Sequence, residues 1–145
     1  MKAATTEAES QLNDRDGTTI LLVEDDSTAR EALHEILNRQ GYSVLPAENG
    51  KRALESVEAT GARPTLILLD LAMPVMDGAA FLLQIPKYAT LASVPVIVMS
   101  GDSKASRLRA ERPDNVMAVL PKPLDVSRMM ELVRKHTGQL SDASG

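Results

Sequence analysis

Ile20-Leu21-Leu22-Val23-Glu24-Asp25-Asp26 (ILLVEDD) decides the fold of this 145-residue chain. Four consecutive apolar residues leave no polar face, as in a strand buried on both sides within a parallel sheet. Three acids follow where that strand must end. The pattern recurs downstream. Leu66-Ile67-Leu68-Leu69 runs into Asp70, residues 96–99 run into Ser100, and residues 116–120 run into Pro121-Lys122. Residues 42–47 make a further strand, with Pro46 near its end.

Helical periods separate these runs. Ser27 is the expected N-cap of a first helix carrying Ala29, Leu33, Ile36 and Leu37, and Gly41 ends it. Asn49-Gly50 reads as a turn. Ala53, Leu54 and Val57 mark a second helix, stopped by Gly61 and Pro64. A third runs over about 78–83, shortened or kinked by Pro86. A fourth, at 103–112, has only Ala105 and Leu108 apolar at helical spacing, and a fifth spans 126–136. Strict alternation of strand and helix gives an α/β protein, a doubly wound (βα)5 three-layer sandwich. Proline is tolerated mainly at sheet edges, so Pro46 and Pro121 place the second and fifth strands outermost. The flavodoxin-like parallel order 2-1-3-4-5 meets that requirement.

Composition bounds the function. With 43% apolar and 25% charged residues the balance is that of a soluble domain. The absence of cysteine excludes disulfides, zinc fingers, iron–sulfur clusters and thiol chemistry. Three aromatics, Tyr42, Phe81 and Tyr88, are too few for a base-stacking platform, and a net charge of −4 argues against nucleic acid or an anionic membrane. No apolar run exceeds five residues, and MKAATTEAES lacks the core of a signal peptide. Residues 1–17 and 139–145 hold too few large apolar side chains to order themselves, so one domain at 18–138 is expected between disordered tails.

In this fold the functional crevice lies at the carboxyl ends of the strands. There the sequence places Glu24, Asp25 and Asp26, then Asp70, Ser100 and Lys122. No glycine-rich phosphate loop follows the first strand. Carboxylates at that point would repel a nucleotide and suit a hard divalent cation. The set reads as an aspartate that accepts a phosphoryl group: a carboxylate nucleophile, a cation that offsets charge repulsion, and an ammonium acting electrostatically.

LLVEDD at 21–26, LDLAMPVMDG at 69–78, VPVIVMSGD at 94–102 and LPKP at 120–123 resemble the receiver domain of two-component response regulators. The resemblance covers nearly all of the chain between its tails. Thirty residues from Asp70 to Ser100, and twenty-two from there to Lys122, also fit the family. It implies that Asp70 is the phosphoacceptor and that Lys122 and Ser100 are the catalytic groups acting on the phosphoryl oxygens. It implies Mg2+, with Mn2+ as a substitute, held by Glu24, Asp25, Asp70 and the main-chain carbonyl of Ala72, Glu24 acting mostly through a coordinated water. A cis bond to Pro123 is implied as well. Ser100 and Val119 occupy the switch positions; the family's aromatic at the second is here a valine, which lacks the aromatic's buried and exposed rotamers. The implied phosphodonor is a histidine kinase or histidine phosphotransfer protein. With only eight residues after Thr137, the expectation is a stand-alone cytoplasmic signalling protein rather than an enzyme. Its output would be contact with a downstream protein or onward phosphoryl transfer.

Two competing readings come from other classes. A small Mg2+-dependent phosphohydrolase would usually carry an acid two residues after its nucleophile, where this chain has Ala72. A receiver fold that binds without phosphorylation is opposed by the intact acids and Lys122, and favoured by Val119. Other polar residues have plainer expectations. Asp26 or Ser27 caps the first helix, His34 is a solvated flank residue, and His136 is favoured by the dipole at a helix end. The basic run Lys104, Arg107, Arg109 and Arg112 is a solvated face or a partner surface. Met73, Met76, Met99, Met117, Met129 and Met130 are expected in loop and core packing.

Overall fold

The computed structural model describes residues 18–71, 73, 76–101 and 115–138. The predicted tails, the predicted helix at 103–112 with its basic run, and Ala72 lie outside them. In chain order the elements are β1 (Thr19–Val23), α1 (Ser27–Arg39), β2 (Ser43–Ala47), α2 (Gly50–Thr60), β3 (Leu66–Asp70), α3 (Gly78–Gln84), a 3-10 turn (Ile85–Lys87), β4 (Val96–Ser100), β5 (Val116–Pro121) and α4 (Val126–Thr137). All strand pairs are parallel and the sheet order is β2-β1-β3-β4-β5, as the prolines required.

Each central strand is apolar on both faces because both are covered. Leu21, Val23, Ile67, Leu69, Val96 and Val98 pack with Ala53, Leu54 and Val57 of α2 and Phe81 and Leu82 of α3. Their neighbours Ile20, Leu22, Leu66, Leu68, Ile97 and Met99 pack on the other side with Leu33 and Leu37 of α1 and Met129, Met130, Leu132 and Val133 of α4. The period-two alternation of strand side chains thus builds two cores from one sheet. Tyr42, fully buried just before β2, places its hydroxyl 3.2 Å from Thr137 Oγ1 and ties the end of α4 to the sheet.

Several local expectations are corrected. Asp26, not Ser27, caps α1: its Oδ1 accepts from the N–H groups of Thr28 (2.9 Å) and Ala29 (3.2 Å), and Ser27 is the first helical residue. Asn49-Gly50 is a helix start rather than a free turn, with Asn49 Oδ1 accepting from Arg52 N–H at 2.8 Å. Of the two expectations for Pro86, a shortened α3 fits and a kink does not. The proline sits in the following 3-10 turn, beyond the last α-helical residue. Met117 is turned outward and exposed where β5 slips against β4: Val96 pairs with Val116, but Ile97 pairs with Ala118. That bulge restores the facing of the rest of β5, so Val119 lies opposite Val98 and Pro121 opposite Ser100. His136 is not favoured as a cation. Burial, aided by the charge of Lys135, pushes its pKa below the ordinary 6.5.

The junction of β3 with α3 is a close backbone approach at Gly78. A Cβ on Gly78 would stand 2.6 Å from Leu71 Cα and 2.8 Å from the Asp70 carbonyl oxygen. The Gly78 N–H donates to Leu71 O at 2.8 Å, seating the helix on the strand end. Gly78→Ala is therefore expected to lower unfolding stability by about 2 kcal/mol or more, because backbone must move. At Gly61 the backbone is left-handed (φ 69°) with open space around it, and alanine there is expected to cost about 1 kcal/mol. Urea denaturation of the two variants checks this; equal losses would contradict the packing argument.

Candidate functional site

The registers bring the predicted residues together. Val23 lies opposite Leu69, so Glu24 follows β1 beside Asp70; Asp70 lies opposite Met99, and Ser100 closes β4. Pro121 pairs with Ser100, and the next N–H, that of Lys122, donates to Ser100 O at 3.0 Å. Glu24, Asp70 and Ser100 are buried, and Asp25 is exposed at the rim. The Lys122–Pro123 peptide bond is cis.

Lys122 reaches into the cluster. Its Nζ lies 3.3 Å from Asp70 Oδ2 and 3.4 Å from Glu24 Oε1. The Asp26 N–H donates to Glu24 Oε2 at 3.2 Å, and the Glu24 N–H donates to Ala47 O at 3.0 Å. Burial raises the Glu24 carboxyl from 4.5 to about 7; the Asp26 N–H opposes the rise and the charge of Asp70 adds to it. For Lys122, burial alone would lower the ammonium's pKa, but Glu24 and Asp70 outweigh it and hold it above 10.5. The ammonium is therefore a fixed positive charge at neutral pH rather than a proton carrier.

Glu24, Asp25 and Asp70 each offer a carboxylate oxygen, and these oxygens lie within 4.8 Å of one another. Three hard oxygen donors against one ammonium leave a negative pocket, and that donor chemistry fits a small divalent cation. Val119 is half-buried against the same core layer as Val98. His34, predicted as a flank residue, is half-buried in hollows with Glu31, Asn38 and Ser43. Because Ser43 opens β2, that place is at the opposite end of the sheet from the acids. One contributor escaped the sequence reading: the Arg30 guanidinium, whose Nη1 donates to Glu24 O at 2.8 Å and to Asp25 O at 3.4 Å.

Clustered acids, a hydroxyl and a lysine thus meet at the strand ends of a parallel α/β sheet. Residues 20–134 match the family model described as "Response regulator receiver domain", and the chain belongs to that family. Sporulation initiation phosphotransferase F of Bacillus subtilis is 31% identical over 81% of this chain and 91% of its own length. Sensor kinase CckA of Brucella abortus is 32% identical, but the match spans 12% of that protein. For response regulator MprA of Mycolicibacterium vanbaalenii (33% identity) it spans 51%. Among solved structures, a response regulator receiver protein from Pseudomonas putida superposes with a TM-score of 0.73 at 28% identity, covering 81% of this chain and 96% of that one. The signal receiver domain of a histidine kinase from Syntrophus aciditrophicus does so with 0.73 at 29%, covering 84% and 91%. Among the described residues no helix is long and apolar enough to cross a membrane.

The Glu24 shift carries a sign. Its pKa in the folded protein lies above its unfolded value, so folding favours the protonated carboxyl. Its contribution to stability is full below about 4.5 and is lost as pH rises through about 7. In metal-free buffer the loss is expected to be of order 3 kcal/mol across that window. Glu24→Gln, which mimics the protonated group, should flatten that part of the profile. Denaturant melts at stepped pH with a chelator present measure it; parallel profiles for the two proteins would refute it.

Proposed function

We propose that this chain receives a phosphoryl group on Asp70 from the phosphorylated imidazole of a histidine kinase or histidine phosphotransfer protein. The observation that carries the reading is the Lys122 ammonium held between Asp70 and Glu24, with Asp25 alongside. An Asp70 oxygen attacks phosphorus, the phosphorus–nitrogen bond of the donor breaks, and the imidazole leaves with a proton from solvent. Lys122, already paired with the Asp70 carboxylate, stays charged and follows the negative charge onto the phosphoryl oxygens. Ser100, closing the neighbouring strand, supplies the hydroxyl for one of those oxygens and, with Val119, stands at the switch positions.

Glu24, Asp25 and Asp70 would hold Mg2+, or Mn2+ in its place, with the Ala72 carbonyl completing the protein ligands. Bound there, the cation supplies charge neutralisation between the carboxylate and the incoming phosphoryl group. The chain so read is a cytoplasmic phosphoacceptor, its receiver unit at 18–138, that shifts between two conformational populations to signal to a protein target or pass the group on. Onward transfer is supported by the relative named a phosphotransferase, which this chain matches over 91% of that protein's length.

Intact mass after incubation with a small-molecule phosphodonor tests the reading. The expected result is one added phosphoryl group that requires Mg2+ and is lost in Asp70→Asn. Lys122→Ala should slow uptake by about 10²-fold while the fold is kept. Absence of the adduct together with failure to bind a beryllofluoride phosphoryl mimic would overturn the phosphoacceptor role and leave a phosphorylation-independent binding module.

A further inference from the structure

Arg30 sits at the end of the first turn of α1, where the helix dipole disfavours a cation. The N-cap carboxylate of Asp26 is engaged with the Thr28 and Ala29 N–H groups. The Arg30 side chain instead folds back over the strand end. Nη1 donates to the carbonyl oxygen of Glu24 at 2.8 Å and to that of Asp25 at 3.4 Å, just beyond the last residue of β1.

We propose that Arg30 is a positioning residue whose guanidinium clamps the Glu24 and Asp25 carbonyls and so holds the β1–α1 junction in its cation-binding shape. Three consecutive carboxylates repel one another and tend to open the junction. Glu24 resists through its N–H bond to Ala47 O and its side-chain bond from Asp26 N–H, and Asp26 through the two helix N–H groups it caps. Asp25 lies between them, exposed, and Arg30 reaches its carbonyl at 3.4 Å. The clamp supplies a charge-assisted bond at that point. It acts through the backbone, so the guanidinium itself need not touch the cation.

This inference rests on the phosphoacceptor reading and deepens it. The test titrates Mg2+ into the full chain while following amide NMR shifts, for wild type, Arg30→Met and Arg30→Lys. Methionine keeps an apolar stem and removes the donors; lysine keeps charge and a donor group. Arg30→Met is expected to raise the half-saturating Mg2+ concentration about tenfold. Its rate of phosphoryl uptake at saturating Mg2+ should stay within about twofold of wild type, since the reacting groups are untouched. Arg30→Lys, which offers one point donor in place of the planar guanidinium, should raise the midpoint only about threefold. An unchanged midpoint in Arg30→Met, or a fallen plateau with an unchanged midpoint, overturns the clamp. If Arg30→Met does not fold, Arg30→Lys decides: a midpoint raised about threefold supports the clamp and an unchanged one overturns it. A wild-type protein whose amides ignore Mg2+ overturns the phosphoacceptor reading itself, and the clamp with it.

Discussion

Two buried carboxylates, Glu24 and Asp70, share one ammonium, and the rest of the molecule is arranged to make that tolerable. Removing a carboxylate from water costs several kcal/mol, and a single lysine cannot compensate two. The remaining imbalance appears as the raised pKa of Glu24. It can be relieved by a proton, by a cation, or by moving negative charge outward onto a group that Lys122 can follow. A site under such tension is responsive for the same reason that it is unfavourable. The exposed Asp25 keeps the pocket open to solvent and to a cation.

What holds the acids in place is the sheet. Glu24, Asp70 and Lys122 come from three different strand ends, and no short-range contact along the chain joins them. Their meeting depends on parallel registers fixed by two apolar layers, in which a one-residue slip would turn every buried side chain to the wrong face. Gly78 sharpens this by letting α3 settle directly on the end of β3, so the strand bearing Asp70 is locked from its own downstream side. Rigidity is concentrated just beneath the charged edge, which is where a binding site needs it.

Much of this was legible in the sequence. Unbroken four-residue apolar runs such as Leu66–Leu69, alternating with helical periods, fit strands covered on both faces, and the polar residue ending each run then sits at the carboxyl edge of a parallel sheet. Strand order followed from Pro46 and Pro121, since proline interrupts a central ladder. The unread parts were those in which a side chain's reach decides the outcome. Asp26 and Ser27 are both good caps; the carboxylate won by accepting two N–H groups at once. Asn49-Gly50 looks like a turn, yet Asn49 serves as a cap because an amide oxygen can accept Arg52 N–H across the start of a helix. Met117 was expected in packing, and nothing in a run of five apolar residues marks which one a bulge will expel. Arg30 left one faint signal, a cation near a helix N-terminus, and such a residue is usually solvated.

The bulge in β5 has a mechanical consequence that bears on Val119. Beyond the slip at Val96 and Ile97, β5 is paired with β4 through Val119, Leu120 and Pro121, and the ladder continues with Lys122 N–H to Ser100 O. Lys122 is thus fixed to Ser100 by its backbone and to Asp70 and Glu24 by its ammonium. Any change of charge at Asp70 pulls on a residue that is already part of the sheet edge. A valine has no large rotamer change with which to report that pull, and Val119 is half-buried against the layer that holds Val98. Among the described residues, the β4–β5 backbone pairing joins the acids to the outer strand.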